Sequence, residues 1–597
     1  MWTVCFVLSF VCFIGAVMYP LAVNRRASEK QAKIKLFHAL ILGVFTGSLL
    51  LFLPIHCVSA RGALFGWWRA FLLSVFNSMQ VFAIGCDYVF EAENMGGCPG
   101  ALVAWYQNWA AVLFVFGPVL TFGFVLSLAK NLSAYLKYLC AYYRDVYIFS
   151  ELNEKSLVLA GDIKKNHGNA VIVFTDVFED DEESTYERIE GAKRLGAICF
   201  KKDILAVDFS RHASGRSMLL FAIGTDETEN LNQGLKLIEE YRDRRETHIY
   251  IFSTKLESEL LLSSVDKGEV KVRRINEVQS LVNRVLFEQG SVLFDSAVEA
   301  SDGRKKISAA VVGIGRHGME MIKALAWFCQ MDGYCLEVNA YDRDPLAEEK
   351  MIAAAPELMS PDYNGVDIAG EAQYKITIHP GVDVESVSFA EQIGKLRDAT
   401  YVIVALGNDD ININTAVKLR MYFERMKIHP VIQTIIYNSQ QRKALAGIRN
   451  YRGQAYDIDF IGDIESSYTE AVIVDSELEE AALQVHLKWG QEEEFWTYEY
   501  NYRSSMASAI HMNARIRCGI PGAAKREAEL TEEERDVIEK LEHRRWNAYM
   551  RAEGYIFSGS KEKSSRNDLA KMHHDLVDFS SLTEEEKRKD SRVGTKA

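Results

Sequence analysis

The chain changes its hydrophobic pattern once, near residue 130. Before that point four apolar runs, at about 2–23, 36–57, 64–86 and 101–129, are separated by short polar stretches. Each approaches the roughly 20 apolar residues that carry a helix across a hydrocarbon core. Beyond that point short apolar runs alternate with amphipathic stretches of helical period, as in an ordinary soluble protein. Leu132, Leu136, Leu139 and Tyr143 recur at helical spacing and predict a connecting helix over 130–145.

The first run has no basic segment before it and no small-residue cleavage site after it, so it reads as an anchor rather than a signal peptide. Arg25, Arg26, Lys30, Lys33 and Lys35 assign the first loop to the cytoplasm, and Lys130, Lys137 and Arg144 do the same for the C-terminal part. Asp87, Glu91 and Glu93 assign loop 87–100 to the outside. Four full spans do not satisfy all three signals. Three spans with a re-entrant 64–86 segment and an external N-terminus do, and four spans with a weak breach of the charge rule stand beside them. Both place the protein in the cell inner (plasma) membrane, multi-pass, with cytoplasmic C-terminal domains. An external loop would also let Cys86 and Cys98 pair. Cys199, Cys329, Cys335 and Cys518 read as reduced thiols.

The soluble part repeats one layout. Strands are predicted at 145–149, 170–174, 197–200, 219–223 and 248–252, and again at 307–312, 336–341, 375–378, 401–406 and 431–436. Helical stretches separate them, which implies parallel α/β sheets. The copies also match locally. Leu220-Phe221-Ala222-Ile223-Gly224-Thr225-Asp226-Glu227 parallels Ile403-Val404-Ala405-Leu406-Gly407-Asn408-Asp409-Asp410. Each ends a fourth strand on a polar loop, where open α/β sheets bind ligands.

The copies differ at the first strand end. In the second copy the strand runs into Gly313-Ile314-Gly315-Arg316-His317-Gly318, a helix follows, and the next strand closes on Asp342. That is a dinucleotide fingerprint in context. Gly313 allows the turn, Gly315 lets backbone approach a phosphate, Gly318 packs helix on strand, and Asp342 offers an acceptor to a ribose hydroxyl. Arg316 beside the turn is a further ligand candidate. The first copy reads Ser150-Glu151-Leu152-Asn153-Glu154-Lys155, without glycine and with two acids that repel phosphate. It reads as a degenerate pseudo-repeat used for packing or dimerisation, with a polar ligand recognised in a different way as the alternative.

The formal charge of −14 argues against nonspecific nucleic-acid binding. No P-loop, GxSxG, HExxH or paired-carboxylate signature occurs, so no catalytic residue is assigned. His573 and His574 are adjacent, would diverge on a helix, and suit metal poorly; no metal site is assigned.

Residues 145–475 resemble tandem RCK domains (regulator of potassium conductance), also called TrkA-N domains. The resemblance is carried by 311–318, by Tyr341-Asp342-Arg343-Asp344, and by the two Gly-x-Asp-acid loops. It implies nucleotide contacts at Gly313, Gly315, Gly318 and Asp342, more loosely at Asp409, and control of an attached membrane pore. A Thr-Val-Gly-Tyr-Gly potassium filter is lacking; Ala83-Ile84-Gly85-Cys86-Asp87 is the nearest stretch and does not match it.

Residues 531–590 change character. Thr531 and Glu534 form a capping box. The helix carries Leu541-Glu542-His543-Arg544-Arg545-Trp546 and leaves through Gly554-Tyr555; the tail holds Met572-His573-His574-Asp575-Leu576-Val577 and Leu582-Thr583-Glu584. This resembles the Ryr domain, the small repeat named after ryanodine receptors. Trp546, Arg545, Tyr555, Lys571 and His574 are ligand candidates there, beside the plainer reading of a core tryptophan and a solvated charged face.

The expected fold is an α-helical transmembrane domain plus α/β: two tandem Rossmann-like parallel sheets, then a small α-helical Ryr domain. The expected boundaries are 1–129 membrane, 130–145 connector, 146–300 first copy, 301–480 second copy, 481–530 linker and 531–597 Ryr. The leading expectation is a homo-oligomeric membrane effector, tetramer or dimer, gated by a nucleotide that is NAD-like or a signalling nucleotide. By analogy, fused modules of this kind fit bacterial antiphage defence. A membrane-bound NAD(P)-dependent oxidoreductase and a membrane-anchored interaction scaffold are the alternatives.

Overall fold

The computed structural model describes the chain apart from residues 24–28, 84, 86–94, 96–97, 178–182, 214, 361–372, 447–449, 456 and 596–597. Arg25, Arg26, the acids of loop 87–100 and Cys86 of the Cys86–Cys98 pair fall outside the described residues. The chain divides into two compact units, Met1–Leu139 and Cys140–Ala597.

The first unit holds α1 (Trp2–Val23), α2 (Glu29–Ser59), α3 (Gly66–Phe82) and α4 (Gly100–Cys140). Among the described residues, two stretches of 23 residues, Phe37–Ser59 and Gly100–Phe122, are long and apolar enough to cross a membrane, and Trp2–Ala16 of α1 is a further apolar stretch. Small residues let the helices approach closely. A Cβ on Gly43 would lie 2.6 Å from Ala16 Cβ, and one on Gly117 would lie 2.8 Å from the Val81 carbonyl oxygen. Inside, Trp109 Nε1 donates to Ser9 Oγ at 2.9 Å, and Ser9 Oγ donates to the Gly47 carbonyl at 2.7 Å. Large apolar side chains stay exposed, among them Val11, Phe76, Val115, Val119 and Phe122.

The second unit contains two sheets of one design. The first comprises β1 (Val146–Phe149), β2 (Val171–Phe174), β3 (Ile198–Cys199), β4 (Met218–Ala222), β5 (Thr247–Phe252) and β6 (Lys271–Ile275), in the order β3-β2-β1-β4-β5-β6. After the short β7 (Val298–Glu299), antiparallel to its neighbour, comes the second sheet. Its strands are β8 (Lys305–Val312), β9 (Tyr334–Tyr341), β10 (Tyr374–His379), β11 (Tyr401–Val404), β12 (Val431–Ile435) and β13 (Ile458–Ile461). Their order is β10-β9-β8-β11-β12-β13, all parallel. Both orders reverse direction between the first and fourth strands, the point where such sheets open a crevice. The flanking helices include α5 (Glu154–Asn166), α6 (Glu227–Tyr241) and α7 (Glu277–Gln289) in the first copy, and α8 (Arg316–Phe328) and α9 (Asp409–Met426) in the second.

The sixth strand of each sheet lies outside the apolar runs that predict the other strands. β6 reads Lys-Val-Arg-Arg-Ile and β13 reads Ile-Asp-Phe-Ile, too polar for the apolar-run criterion. In β6 the charges are absorbed by ion pairs: Arg273 with Glu479, and Arg274 with Glu499.

The chain continues through α10 (Glu477–His486), α11 (Glu499–Arg517), α12 (Glu532–Ala552) and α13 (Glu584–Val593). Residues 481–530 therefore include all of α11, whose Met506, Ala509 and Ile510 share one core with Leu325 and Phe328 of α8 and Leu541 and Met550 of α12. The Thr531–Glu534 capping box opens α12 as the sequence predicts, with the Thr531 hydroxyl accepting from Glu534 N–H. Across α11 and α12, Glu542 accepts from Arg515 and Arg545, all three fully buried. Burial opposes ionisation of Glu542, but the two guanidiniums outweigh it and hold its carboxyl far below the usual range.

Candidate functional site

The three glycines at the end of β8 do three different jobs. Gly313 has φ +94°, and a Cβ there would lie 2.5 Å from the Ala405 carbonyl oxygen. A Cβ on Gly318 would lie 1.8 Å from the Gly313 carbonyl oxygen, so α8 cannot pack on its strand with any other residue there. Gly315 is the opposite case. It is the N-cap of α8 with φ −70° and ψ −167°, no side chain caps it, and a Cβ would meet nothing within 4 Å. The first turn of α8 thus presents its N–H groups beside open space, the arrangement that suits an anion.

Asp342 closes β9 beside this turn. Its Oδ2 accepts the Ile314 N–H at 2.5 Å and its Oδ1 accepts the Asp344 N–H at 2.7 Å. The carboxylate therefore ties the glycine turn to the second strand while lining the cleft.

That cleft has a volume of about 1020 Å³ and is built from the carboxyl ends of both sheets. The second copy supplies the glycine turn, Asp342, Asp383, Gly407 and Tyr437; the first supplies Lys155, Thr254 and Glu277. Tyr468, from the segment after β13, completes the wall. Lys155 Nζ lies 2.8 Å from Glu277, and the Tyr468 hydroxyl donates to the same carboxylate. Burial, then Glu277, pushes the Tyr468 phenol well above its ordinary pKa. Arg316 reaches across to the first copy, donating to Thr254 Oγ1 at 3.3 Å and lying 3.6 Å from Glu227. Burial opposes ionisation of Glu227, but hydrogen bonds from Thr254 and Ser253 outweigh it and leave its carboxyl below the usual range. His317 lies 3.4 Å from the Tyr437 hydroxyl, and burial followed by Arg316 lowers its pKa, which favours the neutral ring.

The corresponding turn of the first copy is already filled. Asn153 caps α5: its Oδ1 accepts the Ser156 N–H at 2.9 Å, Ser156 Oγ accepts the Asn153 N–H in return, and Asn153 Nδ2 donates to the Ile223 carbonyl. Glu151 accepts the Thr225 N–H at 3.1 Å. Side chains bond the turn that the glycines leave open in the other copy, which is the physical content of the missing glycines.

Asp409 has a different task. It accepts N–H groups of Tyr437 and Asn438 at 2.9–3.1 Å and so holds the loop after β12. The neighbouring loops share a feature that the alignment of the copies missed. Asn230 and Asn412, both buried, accept a loop N–H at 2.7 Å, from Gly224 and Leu406 respectively, and donate to the next strand's last residues. The two clamps sit one residue out of step with the aligned loops.

The C-terminal candidates are mostly interior. Arg545 is fully buried with Glu542 and Ser508. Trp546 is partly buried, its ring edge-on to His573 at 4.9 Å. Tyr555 is buried and its hydroxyl reaches Asp568 at 3.4 Å, while Lys571 Nζ donates to the Glu553 carbonyl at 2.6 Å. His574 is buried against His573. The expected divergence of these two rings is corrected: Met572–His573 is a short strand, not a helix, and the rings stack with centroids 4.7 Å apart. With Asp575 they bring donor atoms within 4.8 Å of one another. His573 Nδ1, however, already accepts the Asp575 N–H at 3.1 Å, and burial together with Arg566 pushes its pKa down to about 3.

In comparisons with known proteins, no protein-family model matches the chain and none of the curated proteins does.

Proposed function

We propose that this protein is a membrane effector or channel-like protein whose paired Rossmann-like domains bind a nucleotide and thereby control the helices of the first unit. The observation that carries the reading is the uncapped glycine turn opening into a cleft of about 1020 Å³ at the carboxyl ends of both sheets. A resident phosphate would accept from the free N–H groups of α8 and the ribose would meet Asp342. The asymmetry of the copies supports one phosphate site rather than two, because Asn153 and Glu151 fill the first.

Control needs an element with two arrangements. The contacts of Arg316 with Thr254 and Glu227 are such an element: a phosphate at the turn competes for the guanidinium and loosens one copy from the other. The exposed apolar faces of the first unit support contact with lipid or with further copies. The chain passes from α4 to β1 through residues 141–145 alone, a short path for any movement. The sensor would work in a homo-oligomer, and the resemblance to RCK and Ryr modules is consistent with that use.

The test is ion flux from liposomes carrying the full chain, with nucleotide added on the side of the soluble domains. Flux that appears only with nucleotide, and is lost in Gly315→Asp, is the expected result. Liposomes that stay tight with NAD+, ATP and AMP while those ligands bind would refute gating and leave an anchored sensor. Hydride transfer from NADH to any added acceptor would favour the oxidoreductase instead.

A further inference from the structure

Resting on that nucleotide reading, we infer that the ligand is two-lobed, and that its second half is an amine-bearing or cationic ring held by the first copy. A smaller cavity of about 270 Å³ opens at the ends of β4 and β5. It shares Lys155, Thr254, Glu277 and Ile464 with the main cleft, so the two cavities adjoin across a common wall. The main cleft alone stands at the top of the range of about 300–1,000 Å³ for small-molecule sites.

The chemistry of the smaller cavity selects what enters it. Glu154, Glu227 and Glu277 line it, and the one lysine, Lys155, is held by Glu277 at 2.8 Å. Its loop N–H groups are committed: Gly224 donates to Asn230 and Thr225 to Glu151. Glu227 faces Arg316 at 3.6 Å, and a phosphate at the glycine turn that draws this guanidinium away leaves the cavity rich in acceptors and poor in available donors. A second phosphate is repelled there, and a group that donates hydrogen bonds or carries positive charge is favoured. Phe252 adds an aromatic wall. The first copy, having lost its phosphate turn, keeps the complementary task of reading the other end of a dinucleotide.

Titration calorimetry of the full chain in detergent micelles tests this with four compounds. NAD+ carries a cationic ring, diadenosine diphosphate a second amine-bearing base, ADP-ribose neither, and AMP no second half. NAD+ or diadenosine diphosphate should bind at least about tenfold more tightly than ADP-ribose, the worth of one charge-assisted hydrogen bond. The better of the two identifies the group. Thr225→Trp fills the small cavity from an exposed loop position outside the main cleft, and should bring that ratio close to one. Glu227→Gln, which removes charge with little change in shape, should lower the same ratio if NAD+ is the tighter ligand. Four affinities within about twofold of one another, or a ratio that survives Thr225→Trp in a protein of normal melting temperature, would overturn the two-lobed ligand and leave the nucleotide site standing. Absence of binding by all four, or binding that survives Gly315→Asp, would sink both.

Discussion

Gly315→Asp separates a glycine kept for a ligand from a glycine kept for the fold. At this position φ is −70° and a Cβ would meet nothing within 4 Å, so any L-residue fits. Aspartate is a favoured N-cap, worth at most a few tenths of a kcal/mol over glycine. Folding stability should therefore hold or rise slightly. Binding should respond in the other direction. The new carboxylate would accept the N–H groups of α8 that the phosphate needs, and would stand about 4 Å from it. One extra like charge at that distance, at an effective dielectric of about 20, costs about 4 kcal/mol. That corresponds to about a 1,000-fold loss of affinity. Calorimetry with NAD+ reads the affinity, and thermal unfolding of the same sample reads the fold. Affinity within about tenfold of wild type, in a protein of unchanged melting temperature, would refute the phosphate site. A large fall in melting temperature would refute the claim that Gly315 is spared for a ligand.

Asn153→Ala removes the cap of α5 and should destabilise the second unit by about 1 kcal/mol while leaving AMP affinity nearly intact, since AMP has no second half to enter the smaller cavity; denaturant titration and calorimetry together check both halves. Asp342→Ala removes the proposed ribose acceptor and the partner of the Ile314 and Asp344 N–H groups, so affinity should fall by about 1–3 kcal/mol, with AMP and NAD+ affected alike. Glu357 is buried, accepts the Phe557 N–H at 2.8 Å, and has its carboxyl pushed up to about 7 by burial. Since its folded-state pKa lies above the unfolded value, the folded state holds the extra proton, and stability from this group falls as pH rises from about 4.5 to about 7. Glu357→Gln should accordingly raise the melting temperature more at pH 8 than at pH 5, and an equal effect at both would contradict the assigned cause.

What was legible in the residues alone is local. Gly313, Gly315 and Gly318 could be read because backbone geometry at a strand-to-helix turn is decided by its own few residues, and their spacing records it. The same holds for the Thr531–Glu534 capping box and for the central strands, where burial on both faces leaves continuous apolar runs. β6 and β13 escaped because their charges are neutralised by partners far along the chain: Arg273 by Glu479 and Arg274 by Glu499. Arg545 read as a ligand group for the matching reason. Nothing near it in sequence shows that Arg515 shares Glu542 with it, or that Ser508 accepts from it.

The sequence by itself therefore determined the apolar N-terminal part, the doubled α/β layout, and which copy keeps the glycine turn, since each depends on periodicity or on the steric needs of single residues. Only the tertiary structure decided that the strand ends of both copies, with Lys155, Thr254, Glu277 and Tyr468, line one cleft. The physical reason is that these residues carry no local constraint. Each is an ordinary polar side chain until packing of two sheets brings it to the same wall.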